Sequence, residues 1–527
     1  MSREMSCDVL VVGGGLGGVP AALCALRLGR RVVLTESGRW VGGQLTSQGV
    51  PPDEHPWIES GGATASYRAF RTAVRDHYRR TRPLRDRARA DPHLNPGQGW
   101  VSTLCHEPAV GAAVLRALLA PHEAAGSLEV LMRHRPVAAT VDGDLVGSVT
   151  LAGPDGDVVV LARFVLDATE EGDLLDLAGC EHVVGAESQN RTGEPHALPG
   201  DDDPMDQQAI TWCFALEHDR GGDHRIGRPD GYDFWSSYRP PFWPGPQLGW
   251  ATPDPGTGRV LQRPLFAPDT GEEDLWTFRR IVHAGHYRSE AGVTDVTLVN
   301  WPQVDHWLDP IVGVPAERRA AALAGAKEQS RCFLYWLQND APGPDGSHGF
   351  PGLKLQGDVL GTSDGYAMRP YVREGRRIRA CFTVLETHVG VGARAPLRGA
   401  ARFADSVGVG SYRIDLHPST AGRGYLDIAS WPFQIPLGGL VPVRMRNLLP
   451  AAKNLGVTHI TNGCYRLHPV EWNVGEAAGG LAAHCIDRRL EPRAILERPD
   501  RVDDLQRLLT GLGFQLEWPE EIRLQAR

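Results

Sequence analysis

The chain has 527 residues and carries 55 Lys and Arg against 64 Asp and Glu, a formal net charge of −9. That balance, without any basic block, gives no reason to expect nucleic acid or an anionic membrane as a partner. Nine scattered cysteines with no C-x-x-C argue against a zinc ribbon, a redox disulfide of the thioredoxin type and a cysteine-ligated iron–sulfur cluster, and no metal site is expected.

The N-terminus, Met1-Ser2-Arg3-Glu4, lacks the charged-then-apolar pattern of a secretory signal. No run approaches the ~18 apolar residues of a membrane span. A cytoplasmic protein with reduced thiols is the expectation. The first element is an apolar run of strand length, Cys7-Asp8-Val9-Leu10-Val11-Val12, feeding Gly13-Gly14-Gly15-Leu16-Gly17-Gly18. Gly13, Gly15 and Gly18 fit G-x-G-x-x-G, with Gly17 in the same turn. A helical pattern follows (Ala21, Leu23, Cys24, Leu26), then a second strand, Arg31 to Thr35, that ends on Glu36. The first glycine makes the tight turn, the second lets the backbone approach a pyrophosphate, and the third lets helix and strand pack closely. The helix N-terminus offers free N–H groups and a positive dipole end to phosphates. Glu36 falls where a carboxylate accepts bonds from a ribose hydroxyl. This pattern alone leaves NAD and FAD both open.

Ser37 to Thr46 leaves the carboxyl edge of the second strand, where ligands sit in open α/β sheets. Gly42-Gly43 permits close approach to a flat ring, and Gln44 and Thr46 offer polar atoms to its edges. Gln48 to Glu59 is a stiff, polar stretch suited to roofing a pocket. Helices are expected over residues 62–81 and near 108–125. Between Leu128 and Val165 short alternating runs predict a strand followed by a meander.

The meander ends in Val165-Leu166-Asp167-Ala168-Thr169-Glu170-Glu171-Gly172-Asp173. A glycine turn, a meander and a strand end of this type together resemble the glutathione-reductase-type FAD fold, and most closely the broad FAD-dependent oxidoreductase family. Further strings similar to that family are Pro370-Tyr371-Val372-Arg373-Glu374-Gly375-Arg376-Arg377-Ile378 and Asp405 to Tyr412. The resemblance implies an α/β fold: a Rossmann-like FAD-binding domain interrupted by a β-meander and a large α+β substrate domain. It implies FAD as cofactor, with Asp167, Ala168 and Thr169 beside it. Glu170 stands where related flavoproteins commonly have glycine.

Residues 185–410 have clustered aromatics and prolines, with a long helix over 315–340. Aromatic side chains beside Arg, Asn and Gln suit a polyol, sugar or aromatic substrate. Gly390 to Ala395 fits a G-x-G-x-x-A variant, but the stretch before it carries Glu386 and His388 instead of a buried strand, which argues against a second dinucleotide site. Leu448 to Asn454 reads as a strand and its exit. Val457 to Pro469 then leads into a helix with small and apolar residues, including Gly475, Gly479 and Gly480 for close packing. By the resemblance, the start of that helix meets the flavin N1/O2 edge near Trp472, Asn473 and Val474, because reduced flavin is negative there. The expected division is 1–184 and 411–490 for the two parts of the FAD domain, 185–410 for the substrate domain, and 491–527 for a packing appendage.

With one dinucleotide site and no cysteine pair, the simplest expectation is direct oxidation of a small polar molecule by hydride transfer to the flavin, reoxidised by oxygen or another external acceptor. Histidine titrates near neutrality, which makes His459 and His468 the candidate bases. Arg466 is a candidate for holding a substrate carboxylate or the flavin pyrimidine edge. Arg373 and Arg376 are further candidates for substrate contact. A flavin monooxygenase fed by external NAD(P)H, and a non-catalytic subunit that keeps the fold, are the competing readings.

Overall fold

A computed structural model of the chain describes residues 3–267 and 274–527. Met1 and Ser2, the start of the stretch read as unlike a secretory signal, lie outside the described residues. Val9 to Val12, fully buried, end β1 (Arg3–Val12), which passes through the glycine turn into α1 (Gly18–Arg27) and on to β2 (Val32–Glu36). Then come α2 (Ala65–Thr81), α3 (Asp86–Ala90) and α4 (Pro108–Ala124), followed by β3 (Leu128–Met132). β4 (Arg135–Asp142), β5 (Leu145–Gly153) and β6 (Gly156–Asp167) form the meander.

These strands make one seven-stranded sheet in the order β3-β2-β1-β6-β5-β4, and Leu448–Pro450 adds to β6. β3, β2, β1, β6 and Leu448–Pro450 run parallel; β5 and β4 attach antiparallel through the first part of β6. β6 therefore belongs to both the meander and the parallel sheet. Its register sets Asp167 opposite both Val12 and Pro450, and Val12 opposite Thr35. The carboxyl ends of strands from residues 12, 36, 167 and 450 thus share one edge, the edge where open parallel sheets bind ligands. This is a mixed α/β fold with a Rossmann-like parallel sheet.

The helix His468–Arg488 packs on α1 at backbone distance. A Cβ on Gly475 would collide with the Gly17 carbonyl, and one on Gly479 with the Ala21 carbonyl. Only glycine at these two sites allows the close approach. Pro469 sits in the first turn, where its missing N–H costs nothing, so the helix starts at His468. Trp472, Asn473 and Val474, which the resemblance places near the flavin edge, lie in its first two turns.

Residues 214–355 build a second, antiparallel sheet in the order Arg280–Val282, Val296–Val299, Phe214–His218, Leu353–Leu355, covered by the helix Ala316–Asn339. Phe214, Trp235, Trp301, Phe333 and Trp336 form its core. Many of the aromatics that looked suited to a ligand therefore hold this sheet and helix together. Glu386–Val389 is one short helical turn, so the glycine run after it lacks the strand that a dinucleotide site requires. The C-terminal stretch 491–527 holds the helices Pro492–Leu496, Pro499–Gly511 and Glu520–Arg523, and buries Phe514 and Trp518. Among the described residues no helix is long and apolar enough to cross a membrane.

Candidate active site

The glycine turn is shaped by steric need. Gly13 has φ +102°, a conformation side-chain-bearing residues avoid, and its N–H donates to Thr35 Oγ1 at 3.1 Å. A Cβ on Gly13 would strike the Ala168 carbonyl, one on Gly17 the Ala451 carbonyl, and one on Gly18 the Gly13 carbonyl. The turn is thereby clamped between β6, the exit of Leu448–Pro450 and its own first residue. Gly42 (φ +110°) and Gly43 (φ +50°) bring the next loop against it, with Gly42 N–H bonded to the Gly14 carbonyl at 2.7 Å.

Glu36 ends β2 nearly buried and accepts the Gly38 N–H at 2.5 Å. Burial pushes its pKa up, while Arg369 and the N–H groups of Gly38 and Gly14 pull it back. Gly13, Gly15, Thr35, Glu36, Gly43 and Glu170 line a narrow cavity of about 90 Å³ that adjoins a cleft of about 500 Å³, with Ser37, Gln48 and Arg369 common to both. Asp167, Ala168 and Thr169 are at the same edge. Asp167 is buried and caps the turn after β6, accepting from Thr169 N–H (3.0 Å), Thr169 Oγ1 (2.7 Å) and Leu175 N–H (3.2 Å). Burial still raises its pKa to about 6.

Three glycines lacking the room for any Cβ, a helix N-terminus behind them and a carboxylate at the end of the second strand suit a dinucleotide diphosphate and ribose. The residues present fit FAD. Substituting Glu36→Ala is expected to weaken FAD retention about ten- to a hundredfold, the scale of a lost charged hydrogen bond. Flavin fluorescence after gel filtration checks this, and unchanged retention would remove Glu36 from the ribose site.

One side chain intrudes on the cradle. Glu170 Oε1 lies 2.9 Å from the position a Gly15 Cβ would take and 2.5 Å from that of Gly43. Its other oxygen pairs with Lys453, which is buried. Burial works against the Lys453 charge, but Glu170 and Glu471 outweigh it and hold the ammonium protonated. Glu471, in the first turn of the helix His468–Arg488, takes a hydrogen bond from Gln44 Nε2, which also reaches the Arg466 carbonyl at 2.9 Å. Glu471, rather than Trp472 or Asn473, is the polar group this helix presents to the Gly42–Gln44 loop. Trp472 packs on Tyr67 and Phe70 and donates to Ser66 Oγ at 2.8 Å. Asn473 donates to the Val407 carbonyl at 3.1 Å, and Val474 is buried apolar core.

The candidate bases are both enclosed. His459 contacts Glu374 through Nδ1 (2.9 Å) and Arg423 through Nε2 (2.9 Å), so neither nitrogen is free. His468 accepts the Asp53 N–H through Nδ1 at 3.0 Å. Burial lowers its pKa far below the usual value, and Arg279, His106 and Arg466 add to this. A neutral ring with that lone pair committed fixes the loop at Asp53. Arg466 is fully enclosed, bound to Tyr371 OH (2.5 Å) and to Asp415 (3.1 Å). Arg373 pairs with buried Asp305 at 2.9 Å, whereas Arg376 stands 3.6 Å and 3.7 Å from Asp173 and Asp176.

Beside them lies a set of charged residues that the sequence did not single out as site candidates: Asp53, Arg279, Asp305, Asp415 and His417. Of the stretch suited to roofing a pocket, Gln48 to His55 is buried throughout, whereas Pro56 is exposed and Trp57 and Glu59 are partly so. The only sequence signal for Asp53 is its place ten residues after the double glycine, and for Arg279 its place within an aromatic run.

The chain belongs to the FAD dependent oxidoreductase family, whose model matches residues 8–509. A comparison with curated proteins finds no match. Among solved structures, the L-proline dehydrogenase from P. horikoshii is 15% identical over 36% of this chain and 26% of that chain, with a TM-score of 0.19. The myxobacterial chondrochloren halogenase is 18% identical over 42% and 45%, with a TM-score of 0.23. The 3-ketosteroid-delta4-(5alpha)-dehydrogenase from Rhodococcus jostii is 14% identical over 44% and 62%, with a TM-score of 0.22. This chain spans less than two thirds of each of these proteins.

Proposed function

We propose that the chain oxidises a polar small molecule by hydride transfer to the N5 position of bound FAD, with oxygen or another external acceptor restoring the cofactor. The observation that carries this is the buried group of Asp53, Arg279 and Arg466. It sits where the loop after Gly42–Gly43 meets the start of the helix His468–Arg488, and it includes polar atoms without a partner. In this reading Gly13, Gly15, Gly17 and Gly18 hold the diphosphate, Glu36 the ribose, and Gly42 to Gln44 with the first turn of the last helix the ring. FAD supplies a two-electron acceptor. The protein's own contribution is to hold the substrate, keep water out and take its proton.

The proposed division assigns residues 1–184 and 411–490 to a glutathione-reductase-type FAD domain, 185–410 to the substrate domain and 491–527 to a packed C-terminal appendage. The strand Leu448–Pro450 beside β6 supports joining the two outer parts. Anaerobic mixing tests the reaction. Bleaching of the flavin by a candidate alcohol, amine or acid alone is the expected result. Bleaching by NADPH alone would favour a monooxygenase instead, and a protein that takes up no FAD at all would favour a binding subunit.

A further inference from the structure

Three segments far apart in the chain converge under the start of the helix His468–Arg488. Asp53 is almost completely buried, its backbone N–H held by His468, and its Oδ1 has no hydrogen-bond partner. Arg279, the residue before the strand Arg280–Val282, has a side chain 12% exposed and brings its guanidinium to within 3.6 Å of that oxygen, too far for a hydrogen bond. Its Nε and one terminal nitrogen are also unpartnered, and the group lies against the Phe278 ring at 5.0 Å. Arg466 Nε, equally buried, is unpartnered as well.

The carboxylates around them are paired, although Arg373 Nε is also without a partner. Asp305 accepts from Arg373 (2.9 Å), Thr211 (2.6 Å) and Tyr425 (2.9 Å) and pairs with His417 at 2.6 Å. Asp415 takes Arg466 at 3.1 Å, with His417 3.5 Å away. What is left over is therefore specific: guanidinium N–H groups on one side and a carboxylate oxygen facing them. Leaving such groups buried and unmet is costly, and one small molecule offering an acceptor to the first and a donor to the second would meet both needs. Burial raises the Asp53 pKa, with Arg279 and Arg466 opposing, which suits a group that accepts a proton. Tyr425, hydrogen-bonded to Asp305, lines an open cavity of about 570 Å³ with Phe242 and Pro253.

We infer that Arg279 and Asp53 form a substrate subsite for a small carboxylate bearing an adjacent amino or hydroxyl group, with the carboxylate on Arg279 and the N–H or O–H on Asp53. This rests on the reading that the chain oxidises a polar small molecule, and it narrows that molecule to a class. A neutral polyol brings no charge for the buried guanidinium. An amine without a carboxylate sets like charges together.

Calorimetric titration of the FAD-loaded protein with mandelate, benzoate and uncharged benzamide tests the subsite. Mandelate is expected to bind more tightly than benzoate, and benzamide not to bind. Arg279→Gln is expected to lose about ten- to a hundredfold for both acids, the range of a charged hydrogen bond. Arg279→Lys retains more of the affinity than Arg279→Gln and guards against a misfolded variant, and Asp53→Asn removes only the advantage of mandelate. Benzamide binding as well as benzoate, no binding of either acid, or full affinity in Arg279→Gln would overturn the inference. Flavin absorbance of the same samples tests the underlying reading separately. Acid binding that persists in protein unable to hold FAD would sink the oxidase and leave the subsite. Bleaching by an uncharged alcohol alone would do the reverse.

Discussion

Glu170→Gln is expected to tighten FAD binding about tenfold or more while making the FAD-free protein less stable by about 1–3 kcal/mol. The two effects have one cause. The Glu170 carboxylate stands against Gly15, in the proposed diphosphate cradle, and against Gly43 in the loop beside it. Two unit charges 4 Å apart repel by about 1 kcal/mol in water and about 4 kcal/mol at the effective dielectric of a protein surface. A diphosphate entering the cradle therefore either displaces this carboxylate from Lys453 or lies beside it, and both outcomes oppose binding. Glutamine removes the opposing charge and frees Lys453 to face the anion.

Without FAD the same change costs a charged hydrogen bond at a lysine that is 2% exposed, with Glu471 left as its acidic neighbour. Titration of FAD fluorescence and urea unfolding of the FAD-free protein measure the two arms. Affinity unchanged from wild type would show that the carboxylate moves aside at no cost. Lys453→Met is expected to act in the opposite direction on FAD, since it removes a buried cation beside the cradle.

The N-terminal unit could be read from the sequence because its determinants are local. A strand, a glycine turn, a helix and a second strand lie within 36 residues, and each glycine has a separate steric reason visible in its spacing. β6 was legible for a similar reason: alternation gave the meander, and Asp167-Ala168-Thr169 marked its end. The last helix was read as following Pro469 and begins at His468, because proline is accepted in a first turn.

The charged interior was not legible at all. Asp53 and Arg279 are 226 residues apart. Neither has a periodic neighbour that marks it, and only the second sheet, by placing Arg280–Val282 beside Val296–Val299, delivers Arg279 to the loop. The surroundings of the histidines were hidden for a complementary reason. A histidine in a promising segment suggests a base, but burial and committed nitrogens decide its chemistry, and those depend on Glu374, Arg423 and the Asp53 backbone.

The same burial gives Glu471 a pH-dependent effect on stability. Burial raises its pKa from an ordinary value near 4.5 to about 7, against the pull of Lys453 and the hydrogen bonds of Gln44 and Gly17, with Glu170 adding to the rise. Between those two values the folded protein keeps the proton that the unfolded chain has released. Folding then binds protons, so stability falls as pH rises across this window and levels off above about 7. Each pKa unit corresponds to about 1.4 kcal/mol, which puts the decline at about 1–3 kcal/mol after exchange with the neighbouring charges. Glu471→Gln holds the amide in place of the protonated acid at every pH. Relative to wild type, this variant is therefore expected to gain about 1–3 kcal/mol between pH 5 and pH 8. Urea unfolding of both FAD-free proteins at the two pH values checks it, and a difference that is flat or of opposite sign would show that Glu471 is ionised in the folded protein, tied to Lys453 as firmly as Glu170 is.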